Sequence, residues 1–192
     1  MKKIGVLALQ GGVDEHINAL LSASEKLGTP IQAVEVRTSA DMDMLDGIIL
    51  PGGESTTIAK LMGRAGIFEK VGRVRKIMGT CAGAILLSKK VDGASDDQRF
   101  LSLMDIRTER NAYGSQLASF EANLTTVFGT MQGVFIRAPR LSILTKDVQP
   151  MAFHKEEIVA AYQKSKGDRH FLALTFHPEL TTTRFHEFFI KL

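Results

Sequence analysis

The chain has 192 residues, 44% of them hydrophobic, a formal net charge of +3 and one cysteine. That length suits one well-buried domain over residues 1–192 and is short for two, and the interspersed charges give no case for nucleic acid. One cysteine excludes an internal disulfide and suits a reducing cytoplasm, and no apolar run reaches the ~18 residues of a membrane span.

Residues 3–9 are a continuous apolar run, as expected of a strand buried on both faces. The run is too short for a signal peptide, and no cleavage site follows it. Gly11-Gly12 breaks it, and Val13, Ile17, Leu20, Leu21, Ser24 and Leu27 then fall on one helical face. Gly28 and Pro30 stop that helix. Residues 31–36 read as a second strand, 39–45 as a short helix capped by Ser39, and 46–50 as a third strand ended by Pro51-Gly52-Gly53. Residues 54–62 read as a helix, 74–78 as a strand, and a further helix starts near Ala84. This strand-helix alternation predicts an α/β fold with a mostly parallel sheet covered by helices on both faces.

The second half reads differently. Residues 89–98 are polar and are expected to form a mobile surface loop. Short strand-like pieces follow at 104–110, 119–123, 133–137 and 158–163, which predicts a mixed or antiparallel extension of the sheet. Residues 171–176 read as a last central strand. Phe185, Phe188, Phe189 and Leu192 mark the buried stripe of a C-terminal helix.

The only cysteine lies in Gly79-Thr80-Cys81-Ala82-Gly83, a thiol version of the nucleophile elbow G-x-S-x-G. In so sharp a strand-to-helix turn the chain passes close by two residues before and after the nucleophile, where a residue without Cβ fits. The helix N-terminus favours a thiolate. His177-Pro178-Glu179 follows the last strand, and catalytic groups of open parallel sheets collect at the carboxyl ends of strands. His177 can then exchange the thiol proton, and Glu179 can orient the imidazole through its second nitrogen. Taken singly, these residues also fit a buried inert cysteine, a satisfied core histidine and an acid at a helix start. His16, His154, His170 and His186 show no metal-ligand spacing, so neither a metal nor a cofactor is expected. An acyl-transfer site also needs an oxyanion hole. The Ala82 amide is one donor, and the Pro51-Gly52-Gly53 turn, through Gly52, is the expected source of the second. The same turn also reads as a plain turn with Ser55 or Thr56 capping the next helix. It is not a P-loop, because no lysine follows the glycines at the required spacing.

Gly79-Thr80-Cys81-Ala82-Gly83, Pro51-Gly52-Gly53-Glu54-Ser55-Thr56 and His177-Pro178-Glu179 together resemble the class I, triad-type glutamine amidotransferases. Gly5-Val6-Leu7-Ala8-Leu9-Gln10-Gly11, Arg110-Asn111-Ala112-Tyr113-Gly114, Ser119-Phe120-Glu121 and Phe135-Ile136-Arg137-Ala138-Pro139 narrow the resemblance to the glutaminase subunits of pyridoxal 5′-phosphate synthase. The resemblance implies a three-layer, flavodoxin-like fold. It implies that Cys81 attacks the side-chain amide of L-glutamine, and that water hydrolyses the thioester to glutamate. The released ammonia would pass to a separate (β/α)₈-barrel synthase subunit, in a large complex of twelve synthase and twelve glutaminase subunits. By similarity, Gly53, Glu54, Ser55, Arg110, Ile136 and Arg137 line the glutamine site. The guanidiniums suit the substrate carboxylate and Glu54 its ammonium. Two positions depart from the family pattern: Ser115 stands where an arginine is usual, and no proline shortly precedes Gly79.

Other enzymes on such a fold compete with this reading: a different synthase's glutaminase, a cysteine peptidase or a thiol-based hydrolase. So does a catalytically silent subunit that only binds and assembles. Peptidases have no need to grip a free amino-acid head group, and an intact Cys81, His177 and Glu179 speak against a silent role.

Overall fold

A computed structural model of the chain describes residues 1–95, 97–110, 112 and 119–192. Tyr113, Gly114 and Ser115 of the family-specific stretch, and Asn111, lie outside the described residues. The first half runs β1 (Lys2–Leu7), α1 (Val13–Leu27), β2 (Ile31–Val36), β3 (Gly47–Leu50), α2 (Ser55–Arg64), α3 (Phe68–Val71), β4 (Lys76–Thr80) and α4 (Ala82–Leu87). Next come β5 (Ser88–Asp92), β6 (Met104–Glu109), β7 (Ser119–Thr126), β8 (Gly129–Ile136), β9 (Arg140–Ile143), β10 (Val148–His154), β11 (Glu157–Ser165), β12 (Arg169–Leu174) and α5 (Arg184–Lys191).

Five parallel strands in the order β2-β1-β3-β4-β12 form the centre of one sheet. This is the doubly wound order of flavodoxin-like folds. Strands β11, β10, β7 and β8 extend it antiparallel, and β5, β6 and β9 make a second, mixed sheet. The α/β architecture with a mixed extension is thus as the sequence predicts.

Side chains of the central strands alternate between two cores, as a period of two requires. Ile48, Leu50, Ile77, Phe171 and Ala173 pack with α2, α3 and α4 on one face. Ile4, Val6, Ile49, Met78, Leu172 and Leu174 pack with α1 and α5 on the other. Each fully buried large side chain contributes about 1.5–3 kcal/mol, so this double burial anchors the strand ends that carry the site.

Several elements differ from the sequence reading. Residues 39–45 form only a 3₁₀ turn at Ala40–Met42. There the Asp41 carboxylate accepts from the Thr38 hydroxyl and from the amides of Arg37 and Thr38, and Met44 at φ 62° ends any helix. The stretch 89–98 begins with β5, an edge strand whose lysines face water. Strand β4 starts two residues later than expected and takes in Gly79 and Thr80. Helix α3 and strands β9 and β10 carry no clear sequence signal. They are short or, for β10, interrupted by Pro150 beside a bulge. Leu21 is half exposed, and His16 instead shares the buried face of α1 with Ala19, Leu20 and Ala23.

Candidate active site

Strands β4 and β12 are parallel neighbours, with Thr80 paired to Leu174. Their carboxyl ends therefore bring Cys81 and His177 together across 96 residues of sequence. Cys81 stands at φ 49°, ψ −105°, a backbone conformation L-residues rarely adopt. Its amide donates to the Leu174 carbonyl at 2.8 Å, and its carbonyl accepts from Ala84 and Ile85, which fixes the bend from both sides. The flanking glycines are required by space. A Cβ on Gly79 would lie 2.8 Å from the Ala84 nitrogen, and one on Gly83 would lie 2.9 Å from the Leu50 carbonyl carbon. The thiol is buried and directed at the Ile136 carbonyl oxygen, 3.6 Å away.

His177 Nδ1 lies 2.7 Å from Glu179 Oε1, and the Glu179 side chain is only 2% exposed. The carboxylate can only accept, so Nδ1 carries the proton and Nε2 is the nitrogen left for chemistry. Among the described residues, that Nε2 is buried without a hydrogen-bond partner. It stands beside Cys81 across Gly52, whose Cβ would lie 3.2 Å from both Nε2 and the Cys81 Cβ. Burial disfavours the charged imidazole, but the adjacent Cys81 sulfur and the bonded Glu179 carboxylate outweigh it, and the His177 pKa is pushed up to about 10. The raised pKa favours a protonated imidazole beside the Cys81 sulfur.

Ala82 is the first residue of α4, and the first amides of a helix have no intrahelical acceptor. The Pro51-Gly52-Gly53 turn faces it. The turn is gripped from the β1–α1 loop: Gly52 C=O packs against Gly11, and Gln10 Oε1 accepts from the Glu54 amide at 3.0 Å. Gly53 has φ 150°, which strains any side chain.

The cap of α2 is Glu54, rather than Ser55 or Thr56. Its carboxylate accepts from the Thr56 and Thr57 amides and the Thr57 hydroxyl. Partial burial opposes this charge, yet these hydrogen bonds take the Glu54 pKa down to about 2. Arg110 Nη2 lies 3.2 Å from Glu54 Oε1, so the expected carboxylate-binding and ammonium-binding groups stand side by side. An α-amino acid carries its two charges on one carbon, and an adjacent cation and anion complement it. Gln98, which the sequence reading passed over, ties the cluster together. It accepts from Arg110 Nη1 at 2.8 Å and donates to buried Ser55 Oγ at 3.0 Å. Its only sequence signal was a place in a polar stretch.

The end of strand β8 reaches the site through the Ile136 carbonyl, which faces the Cys81 thiol, and Arg137 is the next residue in the chain. Strand β8 is the last in hydrogen-bond order, yet the sheet curls until Val134 C=O accepts from the His177 amide at 2.8 Å. Arg137 is exposed and holds φ 45°, a strained backbone at the rim of the site. Among the described residues no cluster of His, Cys, Asp or Glu is placed to hold a metal, and no helix is long and apolar enough to cross a membrane. The arrangement brings a buried thiol, an imidazole held by a carboxylate and the start of a helix together at the ends of two neighbouring strands.

A model of the SNO glutamine amidotransferase family matches residues 6–192. The pyridoxal 5′-phosphate synthase subunit PdxT of Thermococcus onnurineus is 47% identical, over 100% of this chain and 98% of that protein. The protein of the same name from Brevibacillus brevis is 46% identical, over 99% and 96%. A crystal structure titled as a glutamine amidotransferase superposes with a TM-score of 0.83 at 40% identity, covering 98% of this chain and 97% of the other. The fold alone is shared, at 20% identity and a TM-score of 0.62, with a putative GMP synthase protein from Thermoplasma acidophilum. The chain belongs to the SNO glutamine amidotransferase family.

Proposed function

We propose that the chain, acting as one glutaminase domain, hydrolyses L-glutamine and supplies ammonia to the synthase subunit of a pyridoxal 5′-phosphate synthase. Cys81 attacks the side-chain amide carbon, and His177 protonates the departing ammonia. Water, deprotonated by His177, then cleaves the γ-glutamyl thioester to glutamate and the free thiol. Glu179 orients His177 throughout. The amides of Gly52 and Ala82, or of the peptide at that turn, face the oxyanion of each tetrahedral intermediate. Arg110 and Arg137 hold the substrate carboxylate, Glu54 its ammonium, and Gly53, Ser55 and Ile136 the remaining wall. The observation that carries this reading is the 2.7 Å bond from His177 Nδ1 to Glu179, which leaves Nε2 buried beside Cys81.

The partner is a (β/α)₈-barrel synthase subunit, in the assembly of twelve and twelve that the family resemblance implies, and the setting is a reducing cytoplasm. Full-length similarity to the PdxT relatives supports this partner over another synthase. The test is a glutaminase assay with the synthase partner present. Cys81→Ala should abolish ammonia release from glutamine while the partner still uses added ammonia. Hydrolysis within about tenfold of the parent, far above the loss expected of a missing nucleophile, would reject Cys81.

A further inference from the structure

Two histidines outside the proposed triad are fully buried, His16 on α1 and His186 on α5. His16 Nδ1 lies 3.0 Å from His186 Nε2, and His16 Nε2 lies 3.1 Å from Thr80 Oγ1, one residue before the nucleophile. The same Nε2 is 3.5 Å from Glu179 Oε2, the carboxylate oxygen that His177 does not use and that has no hydrogen-bond partner among the described residues. Among the described residues, the ion-pair partners of Glu179 are His16 and His177 alone.

The chemistry fixes the direction of the protons. A lone pair on His16 Nε2 would face a carboxylate oxygen and be repelled, so Nε2 carries hydrogen, which it donates to Thr80 Oγ1 at 3.1 Å with its positive edge toward Glu179 Oε2 at 3.5 Å. Nδ1 must then accept, and His186 Nε2 donates to it. His186 Nδ1 is left bare and buried, which matches its lack of any partner. Burial first, and the neighbouring His186 and His177 charges after it, hold the His16 pKa well below the ordinary range, and burial pushes His186 down to about 3. Both rings are therefore neutral. The charged or titratable groups facing His16 are His177 and Glu179 on the β12–α5 connection and His186 on α5. On its own helix, Glu15 Oε2 comes within 3.2 Å of the place a Cβ on Gly12 would occupy, and Glu179 Oε1 comes within 3.7 Å of that place. Apolar side chains in this volume would leave the Thr80 hydroxyl and Glu179 Oε2 facing no polar group, so the two neutral histidines serve those groups as well as packing.

We infer that His16, with its tautomer set by His186, is a positioning residue that holds the outer oxygen of Glu179 and so aims its inner oxygen at His177. The inference rests on the proposed triad. It makes the triad the visible end of a polar chain reaching from the C-terminal helix through α1, in which His186 is hydrogen-bonded to His16 and His16 Nε2 faces Glu179 Oε2 at 3.5 Å.

The test compares His16→Gln, whose amide reaches toward Nε2, with His16→Asn, whose amide stops near Nδ1. Each is assayed for glutaminase kinetics with the synthase partner and for alkylation of Cys81 by iodoacetamide across pH. His16→Asn should lose about tenfold in kcat with glutamine KM unchanged, as for an outer-layer partner of a catalytic ligand. A less well held imidazolium stabilises the thiolate less, so the alkylation midpoint should rise by about one pH unit, the same tenfold read as proton affinity. His16→Gln should stay near the parent in both. A parent-like His16→Asn, or equal displacement of the two variants, overturns the inference. Should His16→Asn not fold, His186→Leu must move the alkylation midpoint in the same direction, and a parent-like midpoint there overturns it instead. Hydrolysis that survives Cys81→Ala rejects the triad itself, whereas an active parent with indifferent His16 variants rejects only the positioning role.

Discussion

Gly52 and His177 are in contact so close that a Cβ on the glycine would overlap the imidazole Cε1 and stand 3.2 Å from its Nε2. The same Cβ would stand 3.2 Å from the Cys81 Cβ. Gly52→Ala should therefore push the imidazole off its line to the sulfur. Displacements of this size cost about 10²-fold in rate, and overpacking costs about 1–3 kcal/mol in stability. Ammonia release and the urea midpoint read the two effects separately. A parent-like rate would show that the ring moves aside without consequence.

Stability should peak near the ordinary imidazole pKa of 6.5. His177 is raised to about 10, so its contribution is complete below 6.5 and is lost as pH rises through about 10. His186 is lowered to about 3 and His16 lies well below its usual value, so their contribution is present above 6.5 and is lost as pH falls. Urea midpoints measured across pH should show His177→Asn flattening the alkaline limb and His186→Leu the acid limb. Unchanged limbs in both variants would refute these ionisation states.

Arg137→Ala and Arg110→Ala should each weaken glutamine binding by about 1.5–3 kcal/mol, the range for a hydrogen bond to a charged group. Maximal turnover should fall less. Arg110→Ala also removes the contact that Arg110 makes with Glu54 and Gln98. If the glutamine KM is unchanged in both variants, the substrate carboxylate is held by other groups.

The isolated chain should be a poor glutaminase, switched on by the synthase partner. The Pro51-Gly52-Gly53 turn is the gate: its glycines let a peptide turn either its amide or its carbonyl toward the developing oxyanion, and the partner would favour the amide. A missing oxyanion donor costs about 10²–10³ in rate, so stimulation of that order is expected at saturating glutamine. Equal rates with and without the partner would mean a preformed hole.

The parallel half of the fold was legible chiefly because β1 and β3 are largely apolar runs and α1 carries an apolar stripe stopped by Gly28 and Pro30. The elbow was legible because a strained cysteine needs glycines at fixed offsets, and Gly79 and Gly83 meet backbone there. Strand β10 was hidden by Pro150, and β5 by Lys89 and Lys90, whose side chains face solvent from a sheet edge. His16 was passed over although it is three residues after Val13 and four before Leu20, on the stripe itself. A histidine on an apolar face is visible in sequence, but its partner 170 residues away is not. Gln98 is a similar case, since its role depends on Arg110 and Ser55 meeting it in space.

The curl that brings β8 back to His177 separates two properties of the cleft by their place in the chain. The nucleophile and its base stand on the most deeply buried strands, where almost any change is costly. Ile136 and Arg137 close the β7–β8 hairpin, whose side chains are largely at the surface. Substitutions at the exposed Ile136 and Arg137 can therefore redraw the outline of the cleft without touching β4 or β12, whereas Leu124 and Phe135 of the same hairpin are buried in the core those strands share. A scaffold arranged in this way can change what it admits while keeping how it reacts.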